Sequence, residues 1–221
     1  MIFVIMGAPG AGKGTQAEKL VADFGFVKIS TGDLFRRHIS QKTEIGRLVE
    51  EVMKQGRLVS DEILLKMVTE ELLNSVGKLV ILDGCPRTLE QARALDRLAA
   101  ANQRLAIKSV IHIDVDDEVI KGRILGRLTC PKCQAVFHKM SHPPKSVNIC
   151  DNCGSALQSR SDDSAEKVET RLSVYRNETE PVLSFYKDKG SYIRIDGGKD
   201  MDLVYTEIKE IVDRSIKSVE A

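Results

Sequence analysis

Tryptophan is absent from the 221-residue chain, and aromatic residues make up only 5% of it. That excludes an aromatic stacking platform for single-stranded nucleic acid. Charge of one sign is also lacking: 33 Lys+Arg face 32 Asp+Glu, leaving a net charge of +1. Neither a generally basic nucleic-acid coat nor a highly charged disordered tail fits that balance, so any anion site has to arise from local placement of arginines. No apolar run reaches the ~20 residues of a membrane span. The opening Met1-Ile2-Phe3-Val4-Ile5-Met6 is apolar but has neither a basic leader nor a cleavage site, and it reads as a buried strand rather than a signal peptide. Five cysteines, four of them clustered, do not make a disulfide framework in a chain of this size. A reducing, cytoplasmic setting is the expectation, with a monomer as the default.

What is present is 42% apolar content and strand and helix in alternation. Met1–Met6 ends at a glycine-rich turn, and Lys13–Phe24 then carries apolar residues at helical spacing (Ala17, Leu20, Val21, Phe24). Phe26–Ile29 reads as a strand, and Ser30-Thr31-Gly32-Asp33 as a helix-opening cluster. Helices are predicted over Ile45–Gln55, Asp61–Asn74, Thr88–Ala101, Glu118–Leu128, from near Ser164, and over Met201–Val219. Strands are predicted at Leu79–Leu82, Ser109–Val115 and Tyr192–Ile195. This alternation implies an α/β fold with a parallel sheet. Thr129 to Asp163, rich in Cys, Pro, Ser, Asn and Lys, breaks the pattern as a small inserted module.

Gly7-Ala8-Pro9-Gly10-Ala11-Gly12-Lys13-Gly14-Thr15 lies between a strand and a helix. Small residues let successive backbone N–H groups curl around phosphate oxygens, the helix start adds its dipole, and Lys13 reaches the phosphates. Gly14 stands where the strict motif has a metal-binding Ser or Thr, which weakens the case for direct Mg²⁺ ligation by Thr15. Asp83 closes the run Leu79–Leu82, at the position of a second acidic residue near a nucleotide's metal. Cys130-x2-Cys133 and Cys150-x2-Cys153, 16 residues apart, have the spacing of a closed tetrahedral site. Zinc is the leading occupant, with iron or cobalt able to use the same ligands. Four thiolates leave no open position, so the metal's role is structural.

Together Gly7–Thr15 with Gln16, Ser30–Asp33 and Asp83-Gly84-Cys85-Pro86-Arg87-Thr88 resemble the adenylate kinase family, in its long bacterial type with a zinc-bearing lid. The resemblance implies a P-loop nucleoside monophosphate kinase fold: a parallel five-stranded sheet flanked by helices, a helical AMP-binding insert over 30–59 and a zinc-ribbon-like lid over 127–163. Residues 1–29, 60–126 and 164–221 would form the core. It also implies the reaction ATP + AMP ⇌ 2 ADP with Mg²⁺. By the same resemblance, Gly10, Ala11, Gly12, Lys13, Gly14 and Thr15 hold the ATP phosphates, with Val136, Phe137 and Lys199 flanking the adenine. Thr31, Arg36, Arg57, Leu58, Val59, Gly84, Cys85, Pro86, Arg87 and Gln91 bind AMP. Arg123, Arg127, Arg160 and Arg171 clamp phosphates, and Asp33 and Asp83 hold Mg²⁺ through water. Cys85 departs from the Phe common in the family beside the AMP base, which implies a looser base contact.

Such chemistry needs fixed cations to overcome repulsion between two polyanions, and arginine forks supply them without losing charge. Lys13, Arg87, Arg123, Arg160 and Arg171 are the candidate catalytic set. Arg123 and Arg127, four apart, are expected on one face of the helix Glu118–Leu128. Asp162-Asp163 either pair with these arginines or cap the next helix. His112 reads as a packed strand residue and His38 and His142 as surface positions; His138, beside Phe137, either touches the adenine or lies on the lid surface. A metal-ribbon nucleic-acid binder is the rival reading, opposed by the diluting Asp151, Asp162 and Asp163 and by Phe137 as the insert's only aromatic. A P-loop regulator without transfer is another, and so is a kinase for UMP, CMP or GMP.

Overall fold

The computed structural model describes residues 1–220, with side chains to residue 217. A central five-stranded parallel sheet is built from β1 (Ile2–Met6), β2 (Val27–Ser30), β3 (Val80–Asp83), β4 (Ile107–Asp114) and β7 (Tyr192–Asp196), in the order β2-β3-β1-β4-β7. The continuous apolar runs follow from burial on both faces. Successive side chains of a strand point to opposite sides. Ile2, Val4, Met6, Val80, Leu82 and Val110 enter one core, while Phe3, Ile5, Ile81, Ile111 and Ile113 enter the other.

Helices α1 (Lys13–Phe24) and α9 (Met201–Glu220) cover the second core, with Ala17 and Leu20 of α1 and Val204, Ile208 and Val212 of α9 facing the sheet. Helices α4 (Asp61–Leu73), α5 (Leu89–Ala101) and α8 (Glu180–Asp188) cover the first, through Leu64, Val68, Leu72, Ala92, Leu95, Val182, Leu183 and Tyr186. Between β2 and α4 stand α2 (Thr31–Ser40) and α3 (Glu44–Lys54). The Ser30 side chain caps α2 by accepting from Asp33 N–H at 3.4 Å, and Thr43 caps α3 by accepting from Gly46 N–H at 3.0 Å.

Several strand and helix ends lie within two residues of expectation; one boundary carries a correction. Helix α6 runs only Asp117–Leu125 and is followed by the short strand β5 (Arg127–Thr129), so Arg127 does not share a helix face with Arg123. β5 pairs antiparallel with β6 (Val136–His138), Leu128 opposite Phe137. The Lys139 N–H donates to Gly126 O at 2.9 Å, and this pairing beyond β6 draws the chain out of the helix immediately after Leu125. The helix predicted near Ser164 is α7 (Ala165–Val174), which continues through a widened π-helical turn, Tyr175–Thr179, into α8. Nothing in the sequence periodicity marks that turn.

Candidate active site

The chain leaves β1 toward β2 on one side of the sheet and leaves β4 toward β7 on the other, the switch that opens a crevice at the carboxyl ends of parallel strands. A cleft of about 800 Å³ lies there. The glycine loop forms its floor. Gly12 precedes α1 with φ +97°, and Gly10 has φ +84° with a would-be Cβ 2.7 Å from Ile124 Cγ1, so a side chain at position 10 meets both strain and a clash.

Lys13 folds back over the loop, its Nζ donating to Gly7 O and Ala8 O, each at 2.8 Å. Burial, with Arg87, Arg171 and Arg127 nearby, pulls its pKa down to about 8 against the opposing pull of Asp83. The Asp83 carboxylate sits above the loop, 3.6 Å from the position a Gly14 Cβ would occupy. Asp33 is paired with Arg36, and with Lys28 Nζ at 3.3 Å. Burial raises its pKa, but those two cations outweigh it and bring it to about 2.

Seven arginines line this cleft: Arg36, Arg57, Arg87, Arg123, Arg127, Arg160 and Arg171. Each of the following is braced by a partner that fixes the guanidinium. Arg87 Nε donates to Gly84 O at 2.7 Å, Arg123 Nη2 to Gly197 O at 2.9 Å, and Arg160 Nε to Thr129 Oγ1 at 3.0 Å. Asp163 is almost wholly buried; it accepts from Arg127 Nε at 2.8 Å and from Arg171 Nη1 at 2.9 Å. Asp162 pairs with Arg171 at 2.9 Å. The two aspartates therefore organise the arginines, while Ser164 takes the N-cap position of α7. Arg160 is pushed down to about 9 by burial and by Arg127 and Arg36. Concentrated positive charge of this kind, in a chain of net charge +1, is a receptor for polyanions.

Of the sequence candidates, Gly10–Thr15, Arg57, Leu58, Val59, Gly84, Cys85, Pro86, Gln91, Val136, Phe137 and Lys199 also border the cleft. Thr31 does not: it is buried and its hydroxyl donates to Gly84 O at 3.0 Å. His142 is exposed, as expected of a surface position, yet its ring stacks on Phe137 at 5.6 Å and 9° and borders the cleft. The sequence offered no sign of that pair, because the partners meet through the fold of the insert. Lys28, Gln134 and Tyr175 likewise reach the cleft unannounced. His112 is the packed strand residue expected, its Nδ1 at 2.9 Å from Tyr192 OH and its Nε2 at 3.1 Å from Tyr175 OH.

In the insert, the sulfurs of Cys130, Cys133, Cys150 and Cys153 lie within 4.8 Å of one another. Cys130 Sγ is 3.4 Å from Cys153 Sγ, and Cys133 Sγ is 3.5 Å from Cys150 Sγ, far beyond a disulfide bond. A tetrathiolate with ~2.3 Å metal–sulfur bonds has sulfur–sulfur edges of about 3.8 Å, so the four ligands fit zinc. The two knuckles are alike. Gln134 N–H donates to Cys130 O at 3.0 Å and Gly154 N–H to Cys150 O at 2.9 Å, and both residues have positive φ (62° and 70°). Leu128, Phe137 and Leu157 are the only apolar side chains besides the cysteines that are buried in this cluster among the described residues, too few to hold the insert unaided.

The sheet order, the glycine loop with its lysine, and the braced arginines define a P-loop phosphotransferase. The family model for adenylate kinase matches residues 5–191. Similar curated proteins include the adenylate kinase of Symbiobacterium thermophilum, 45% identical over 97% of this chain and 100% of that one. Those of Methanosarcina acetivorans and Bacillus licheniformis are each 43% identical over 96% of this chain and 98% of theirs. The chain belongs to the adenylate kinase family.

Proposed function

We propose that the chain catalyses reversible transfer of the terminal phosphoryl group of ATP to AMP, giving two ADP. The observation that carries this reading is one continuous cleft joining the Lys13 loop to Arg87 and the other braced arginines. ATP is bound through Gly10–Thr15 and Lys13, with Arg123 and Arg127 on its phosphates and Val136, Phe137 and Lys199 beside its base. AMP is bound by Arg36, Arg87, Arg160 and Arg171 through its phosphate, and by Arg57, Leu58, Val59, Gly84, Cys85, Pro86 and Gln91 around its nucleoside. Thr31 acts from behind, holding Gly84 by its carbonyl.

The acceptor is already an anion, so no base has to remove a hydroxyl proton. The side chains must instead bring two polyanions into line, neutralise charge on the transferring group and keep water out. Mg²⁺ carried by the nucleotide would neutralise further phosphate charge. Two carboxylates, Asp33 and Asp83, suit an ion that keeps most of its waters and leans on substrate phosphates rather than on a protein cage. Zinc at the four cysteines holds the insert's shape and takes no part in transfer. Segments 30–59 and 127–163 act as covers that close over the two nucleotides.

The test is phosphoryl transfer from ATP to AMP, GMP, CMP and UMP, each with Mg²⁺ and protein purified with its metal. Strong turnover with AMP alone is expected. Preferred turnover with another acceptor would overturn the AMP assignment, and no turnover despite tight ATP binding would overturn the kinase.

A further inference from the structure

Gln91, at the start of α5, is fully buried yet borders the cleft, beside Phe35, Val59, Leu64 and Cys85 of the same apolar cluster. Both ends of its amide are occupied. Oε1 accepts from Arg87 N–H at 2.7 Å, and Nε2 donates to Asp61 Oδ1 at 2.6 Å. Asp61 sits at the first position of α4; its other oxygen, Oδ2, accepts from the Thr88 hydroxyl at 2.8 Å. Thr88 Oγ1 in turn accepts from Gln91 N–H at 3.2 Å as the cap of α5.

A backbone N–H can only donate and a carboxylate can only accept, so reversing the amide would set donor against donor and lone pair against lone pair. The orientation of Gln91 is thus determined from both sides. After these bonds the amide keeps one free N–H on Nε2 and one free lone pair on Oε1. An amino-substituted base edge, with a ring nitrogen that accepts and an exocyclic NH₂ that donates, matches that pair. A 6-oxo purine or a 4-oxo pyrimidine presents the reverse pattern, a ring N–H that donates and an oxo oxygen that accepts.

We propose that Asp61 is a specificity-determining positioning residue: by locking the Gln91 amide it makes the acceptor pocket select amino-bearing bases over oxo-bearing ones. The inference rests on the reading of this pocket as the acceptor-nucleotide site. A buried donor facing a donor costs far more than a lost contact, so the discrimination resides in the lock more than in attraction.

The experiment compares kcat/KM for AMP and inosine monophosphate, two acceptors that differ only at this edge, in the wild type and in Asp61→Asn, Asp61→Ala and Thr88→Val. Far-UV circular dichroism and a melting curve accompany each variant. The wild type should prefer AMP strongly. Asp61→Ala should reduce the AMP-to-inosine monophosphate ratio by about tenfold or more, since one of two opposing mismatches is relieved, whereas Asp61→Asn, whose amide oxygen still accepts from Gln91 Nε2, should keep the preference for AMP. Thr88→Val removes the cap but spares the Asp61–Gln91 bond, so it should lower the melting temperature and leave the ratio unchanged. A folded Asp61→Ala protein that loses activity equally on both acceptors would overturn the lock, because a purely architectural role moves both together. A wild type that does not distinguish the two acceptors would instead overturn the reading of the pocket itself.

Discussion

At the residue scale the cleft is a set of charges that cannot relax. Lys13, with its pKa held near 8 mainly by burial, binds phosphate only as the cation. Raising the pH through 8 should therefore weaken ATP binding by up to about tenfold per pH unit. KM for ATP measured from pH 6.5 to 9.5 should rise on the alkaline side, and Lys13→Met should abolish that rise. Lys13→Met and Arg87→Ala should each lower kcat by about 10²-fold or more without unfolding the protein, as loss of one fixed charge at a reacting centre does. Near-wild-type turnover in a folded Lys13→Met protein would dismiss the phosphate-loop role. His112 titrates differently. Burial in β4 pushes its pKa down to about 4, against Asp114 and with Arg194 and Lys187 nearby, while Tyr175 and Tyr192 hold it by both ring nitrogens. The unfolded chain then binds more protons than the folded one between about pH 4 and the ordinary histidine value near 6.5. His112 supports stability fully above that window and loses its contribution as pH falls through it. Melting temperatures at pH 7 and pH 4.5 should differ less in His112→Phe than in the wild type. Lys13, Asp83 and the cysteines were legible because their chemistry is local in sequence. The Phe137–His142 stack was not, since its partners meet only through the fold, and the pairing of Asp163 with Arg127 and Arg171 was one of two alternatives that the sequence left open and the fold decides.

Elements differ in how openly they announce themselves. β1 and β3 were readable because burial on both faces demands an unbroken apolar run, and α1 because its glycine loop and apolar spacing agree. The end of α6 was not, because Arg127 and Leu128 continue a helical pattern although tertiary pairing with β6 takes them. The π turn Tyr175–Thr179 has no periodic signature, and it is fixed from outside: Thr179 donates to Arg87 O at 3.0 Å while Tyr175 meets His112. The cysteine insert shows the opposite case, an element with a plain signature and little core. Cys130→Ser should lower the melting temperature and raise protease cleavage between residues 129 and 163, while leaving residual transfer activity. Loss of all activity in a protein whose core stays folded would contradict a purely structural metal.

At the scale of the whole molecule, a balanced net charge conceals a cleft lined by cations, and the sheet's switch point determines where that cleft opens. The parallel architecture followed from the alternation of strands and helices, and the family from ordered motifs spread along the chain. The bracing of Arg123 and Arg160 required the fold, because Gly197 and Thr129 lie 74 and 31 residues away from them in sequence, whereas Gly84 is only three residues from Arg87. Among the described residues no helix is long and apolar enough to cross a membrane, in keeping with the absence of long apolar runs. The account's central claim is that the cleft delivers the phosphoryl group to a second nucleotide and not to water. Phosphorus NMR of ATP, AMP and Mg²⁺ incubated with the protein tests it directly. The account predicts two ADP for every ATP consumed, with no inorganic phosphate above the enzyme-free control; one ADP and one phosphate per ATP, with AMP unchanged, would contradict it.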